Sequence, residues 1–219
     1  DTALRILPID YQNAQSGERL ATNGGTLNVS ADNKGDKVSL ESDVDSLALT
    51  SKNEMGQPVL FTLNGLKLNG NTHLSPEGVR VGDQSIDVEK VNASINGQDA
   101  LTLHKMKGSS SFDNSAGKIG GNIDYKVDSV QLQKQDFGQA ALKMKLSQFD
   151  AQAVKAFSDR YNAQMQDLTS QKGLADDPIR YQAGVNAILM SNLPVLLKGS
   201  PSISIAPLSW KNDKGESTF

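Results

Sequence analysis

Residues 59–68 read Val59-Leu60-Phe61-Thr62-Leu63-Asn64-Gly65-Leu66-Lys67-Leu68. Val59, Phe61 and Leu63 alternate with a period of two, the pattern of a half-buried strand. Leu66 and Leu68 alternate as well, but on the opposite parity, because three positions separate Leu63 from Leu66. A one-residue parity change turns the apolar set to the other face of a sheet unless the backbone absorbs it, and a β-bulge does so. Working outward, the same event recurs. Val38, Leu40 and Val44 precede Leu47 and Leu49, and Ile86 and Val88 precede Val91, Ala93 and Ile95. Leu101 and Leu103 precede Met106, Ile123, Tyr125 and Val127 precede Val130 and Leu132, and Leu142, Met144 and Leu146 precede Phe149. The shift points are Val44, Leu63, Val88, Leu103, Val127 and Leu146, and in an antiparallel meander such points fall side by side. The pattern predicts one large, strongly curved antiparallel sheet with a shared bend line and strands of about 11–13 residues, roughly 36–44 Å long. The competing reading splits each segment into two short strands joined by a turn, which Asn64-Gly65 favours locally.

The rest of the chain fits around that sheet. Residues 1–12 read as an extended segment, with Pro8 marking an edge or bend. Asn23-Gly24-Gly25 reads as a turn, and Asn96-Gly97 between Ile95 and Leu101 is the strongest hairpin signal. At Asp150 the period changes: Val154, Phe157, Tyr161, Met165 and Leu168 lie on one helical face. Asp150 serves as N-cap and Gly173 as stop. Asp177-Pro178 opens a second helix through Tyr181, Val185, Ile188, Leu189 and Leu196. Pro194 is expected to end or kink it near Leu193, and Lys198-Gly199 to close it. The expected class is α+β, mainly β, with two helices packed on one sheet face. Residues 1–149 form the sheet, 150–199 the helix pair and 200–219 the start of further strands. Residues 1–219 read as a single domain and a segment of a longer parent.

Chemistry is sparse. The chain carries no Cys, so disulfides, thiolate zinc sites and thiol nucleophiles are excluded. With 22 Lys+Arg against 25 Asp+Glu, the net charge of −3 lacks the basic footprint of a nucleic-acid binder. No apolar run approaches the ~20 residues of a membrane span. His73 and His104 read as surface histidines, with no converging ligands of the kind a metal requires. No G-x-S-x-G elbow occurs, and Gly117-Lys118 is followed by Ile119 where a phosphate-binding loop needs Ser or Thr. Asp43 and Asp45 read as solvated, and Asp176-Asp177 as a helix start. Catalytic, cofactor-binding and metal residues are therefore expected to be absent. Phe157, Tyr161 and Tyr181 are expected to pack between helices and sheet, and Trp210 to be half-buried.

The stretch Leu193 to Pro201 with Ile203 to Asn212 and Gly215-Glu216-Ser217 resembles the YdgA-like family of proteobacterial cell-envelope proteins. Phe157 to Gln164, Gln131 to Leu146 and Gly82 to Ser85 resemble the same family. The resemblance implies a parent about twice this length, with an N-terminal anchor or signal segment outside these residues. It also implies a periplasmic, inner-membrane-associated body and a homodimer. It supplies no catalytic residues and no cofactor.

Function is expected to follow from the sheet. A bent sheet that is apolar on its concave face and partly covered leaves a trough, lined here by Leu63, Tyr125, Met144, Phe157 and Tyr161. The first expectation is a non-catalytic envelope binding or scaffold module that holds a lipid acyl chain or a segment of an envelope protein partner. The alternative is a self-associating structural protein without a small ligand. An uncharacterised hydrolase stands last.

Overall fold

A computed structural model describes residues 1–171 and 177–218. The expected helix stop at Gly173, the acidic Asp176 and the terminal Phe219 lie outside the described residues. Among the described residues, twelve strands form one antiparallel sheet. They are β1 (Thr2–Ile6), β2 (Ile9–Gln12), β3 (Arg19–Ala31), β4 (Lys37–Lys52), β5 (Pro58–Leu74), β6 (Arg80–Ile95), β7 (Gln98–Ser115), β8 (Lys118–Leu132), β9 (Gln135–Asp136), β10 (Gln139–Asp150), β11 (Ser202–Asn212) and β12 (Gly215–Thr218). The order across the sheet is β1-β3-β4-β5-β6-β7-β8-β10-β11-β12, with β2 also on β3 and β9 on β8. Each strand from β3 to β8 pairs with its successor, as a meander requires, and the strand break at Leu7-Pro8 sits on the edge. Two helices, α1 (Ala151–Thr169) and α2 (Pro178–Leu196), intervene between β10 and β11, which are themselves neighbours. The helix pair is thus an excursion from the sheet and back to it.

The bend line is present. Along β4 to β8 the pairing stays in register on both sides of Asp45, Gly65, Glu89, Lys105 and Asp128, while those residues themselves drop out of the ladder. Each lies one or two positions after an expected shift point. Register survives because every strand leaves out one residue at the same height. Gly65 has φ 63° and Lys105 φ 51°, so alternate strands supply a left-handed residue there. The strands run unbroken through the line, which removes the reading of paired short strands.

Four local expectations need correction. Asn23-Gly24-Gly25 is not a turn: it lies inside β3, where Gly24, at φ 100°, makes a bulge against β4 on the same bend line. Asn-Gly-Gly chemistry serves a left-handed bulge as readily as a turn. The Leu146 shift is a separate bulge, where Gln148 has φ 64° and the register slips between Leu146 and Phe149. Strands β4 to β8 have 15–18 residues rather than 11–13, because their ladders run up to the turn residues. Helix α2 continues past Leu193 to Leu196 with Pro194 inside it. Proline in the last turn deprives only the Met190 carbonyl of its partner, at an exposed position open to solvent.

The helix caps follow the sequence. The Asp150 carboxylate accepts from the backbone N–H groups of Gln152 and Ala153, and Asp177 Oδ1 from that of Arg180 at 3.0 Å. The two helices pack on each other: Leu168 fills the space over Gly184, and Asn192 bonds to Gln164. Phe157 and Tyr161 stack along α1 with ring centroids 6.0 Å apart, while Tyr181 stays 40% exposed, outside any helix–sheet seam. Trp210 is 37% exposed, and its indole N–H donates to the Phe137 carbonyl at 2.7 Å. The buried cluster sits where α1 leaves the sheet. Val81, Ile119, Phe149 and Ala151 form it, with Phe112, Leu146 and Val154 packed around them.

Candidate functional site

Cross-strand partners share a face, so the register defines rows across the sheet. One row between the bend line and the helix end reads Leu4, Leu27, Ser42, Leu68, Ile86, Gly108, Tyr125, Leu142 and Leu208. The next row on that face, two residues closer to the bend line, reads Ile6, Gly25, Val44, Leu66, Val88, Met106, Val127, Ala140 and Trp210. Nine strands at about 4.8 Å spacing make a band roughly 38 Å wide. The intervening row, on the other face, reads Asp43, Lys67, Asp87, Lys107 and Lys126. Ion pairs join Lys67 to Asp43 at 3.5 Å, Lys107 to Asp87 at 3.3 Å and Lys126 to Asp128 at 2.6 Å. The hydrogen bond from Lys126, helped by the fields of Lys105 and Lys107, holds the Asp128 carboxyl below its ordinary value. Along these rows one face is solvated and cross-linked by charge; the other is mostly apolar.

Among the described residues, little covers the apolar face. The chain exposes 14481 Å². A compact monomer of 23.4 kDa exposes roughly 9,700 Å², so the excess is about half as much again. Two adjoining cavities, of about 410 and 380 Å³, form a groove on this face. They share Ile86, Gly108 and Tyr125. The groove exists because position 108 is glycine: a Cβ there would lie 2.8 Å from Ile86 Cγ2 and 2.9 Å from Tyr125 Cε1. The Tyr125 ring therefore leans over Gly108 towards Ile86. Beyond it the second cavity is bounded by Val88, Met106, Val127, Leu142 and Leu208. The first has a polar end, formed by Thr72, Arg80, Gln84 and Ser110.

Of the residues expected to line a trough, Tyr125 and Met144 fall on neighbouring rows of this face, Met144 opposite Ile123 and Tyr125 opposite Leu142. Leu63 lies across the bend line, in the row with Leu47, Val91, Leu103 and Val130. Phe157 and Tyr161 stand on α1, which meets the sheet at its first turns. Arg80 and Gly108 were not anticipated; an isolated glycine inside a strand, between Met106 and Ser110, was the signal for a close approach. His73 and His104 lie on opposite sides of the bend line, so they do not converge. Among the described residues, no group of three or more His, Asp or Glu side chains is placed to hold a metal ion, and no helix is long and apolar enough to cross a membrane.

A family model described as "Bacterial protein of unknown function (DUF945)" matches residues 1–219. Protein YdgA of Escherichia coli (strain K12) is 38% identical over 218 residues, which cover 99% of this chain and 43% of that protein. The chain therefore spans less than half the length of that relative. No solved structure gives a significant match.

Proposed function

The chain belongs to the DUF945 family of bacterial proteins of unknown function, and from that premise we propose that it is a binding module whose uncovered apolar sheet face holds a lipid acyl chain. No enzymatic activity is named for the family, and the proposed role is non-catalytic. The observation that carries this reading is the groove over Gly108: an apolar channel with one polar end, on a one-layer sheet whose opposite face carries the row of Asp and Lys pairs. Burying apolar surface yields about 25 cal/mol per Å², and here the surface lies open in the folded chain, so a flexible acyl chain gains that free energy without refolding the protein. In this reading the module works in the periplasm, tethered to the inner membrane through a part of the parent outside these 219 residues.

A second reading is self-association, in which the same open apolar face is buried against a second copy of the chain. Native mass spectrometry of the purified chain, with organic extraction and lipid analysis of the same sample, separates the two. A stoichiometric acyl lipid on a monomer supports the binding module. An apo dimer supports self-association and counts against the acyl chain.

A further inference from the structure

A ligand in the groove meets cations unequally. Lys107 and Lys126 border the second cavity but are committed to Asp87 and Asp128 on the other face. Arg80, at the polar end of the first cavity, takes part in no salt bridge among the described residues. Its guanidinium is nonetheless fixed. Nη2 donates to the Gly35 carbonyl at 2.9 Å, and Nη1 to the Asp36 carbonyl at 3.4 Å and the Thr72 hydroxyl at 3.3 Å. A guanidinium has five N–H donors. Three are used, which leaves Nε–H and one Nη2–H to donate to a carboxylate. An anchored cation with those donors unused, at the end of an apolar channel, is complementary to an amphiphile with one anionic head and one chain.

We propose that the groove is a fatty-acid site, in which Arg80 binds the carboxylate and the chain runs past Ile86 and Tyr125 towards Leu142 and Leu208. Thr72 acts as a positioning residue, holding the guanidinium from the cavity side. Gln84 lines the same end of the cavity. The proposal rests on the acyl-chain reading above and adds the chemistry of the head.

The test compares oleate with oleyl alcohol, which has the same chain and a neutral head, by isothermal titration into the 219-residue chain at about pH 8. The expected wild-type preference is about tenfold for oleate, the size of a charge-assisted hydrogen-bond pair. In Arg80→Gln the ratio of the two affinities falls to near one. Because Arg80 also ties the Gly35–Asp36 turn to β5, a second variant leaves it in place: Gln84→Glu presents a carboxylate to the guanidinium and removes the preference in the same way. Equal wild-type binding of oleate and alcohol overturns the fatty-acid site while the acyl-chain reading stands. A preference that survives both variants also overturns it. Binding of neither ligand overturns both.

Discussion

At the helix-proximal end of the apolar face, Ile119 is 7% exposed and Phe149 8%; farther along the same face, Ile86 is 39% exposed and Tyr125 51%. Strands, pleat and residue types are shared. What differs is cover. Val154 on the first turns of α1 closes the end, whereas in the middle Gly108 leaves the Tyr125 ring lying on the bare sheet. The free energy of burial is therefore already spent on folding at one place and still available to a ligand at the other. The polar face needs less cover, because its alternate residues are mostly Ser, Asn, Asp and Lys, two pairs of which are joined across strands by charge.

That contrast is open to direct attack. The largest effect is expected from Phe149→Ala, which empties the covered end and should cost about 3–5 kcal/mol in urea denaturation, while Tyr125→Ala, in the open middle, should cost under about 1. Equal losses would mean that the middle is buried in solution. Next comes the bend line. At Gly65, with φ 63°, an added Cβ would lie 2.9 Å from Glu89 Cβ. Left-handed strain and the clash together should make Gly65→Ala about 2–3 kcal/mol less stable in the same assay.

Gly108→Val separates stability from binding. Its new side chain presses on Ile86 Cγ2 and the edge of the Tyr125 ring, and since Ile86 and Tyr125 are exposed and can rotate away, the stability loss should stay below that of Gly65→Ala. Oleate affinity should fall by about tenfold or more as the groove fills. The smallest expected effect concerns charge at the covered end. The Ala153 backbone N–H, then Lys118 and then the Gln152 N–H, hold the Asp150 carboxyl below its ordinary value of 3.8. A lowered folded value stabilises the fold above the unfolded value, and that contribution is lost as pH falls through the folded one. Asp150→Asn should therefore unfold earlier than wild type at neutral pH, and the two midpoints should converge in acid.

The bend line was legible because each three-residue step between apolar positions demands a residue outside the ladder, and five of the six steps mark it. Its remaining member, Gly24, was misread because a turn and a bulge use the same residues. That Tyr125 and Met144 share one face of the sheet was legible from parity alone. Arg80 and Gly108 were not. Their importance comes from the register that sets Gly108 between Ile86 and Tyr125, and from the contacts that bring Gly35 and Asp36 to the guanidinium. Neither is written in a single strand. The cover supplied by α1 was legible only as an amphipathic face, since periodicity shows that a helix has a buried side but not how much of the sheet it reaches.

The most direct measurement is methyl-detected NMR of the chain during titration with oleate. Shifts confined to Ile86, Val88, Val127, Leu142 and Leu208, with the methyls of Leu63, Val91 and Val130 across the bend line unmoved, are the predicted result. Shifts centred beyond the bend line, or none at saturating oleate, would contradict the account.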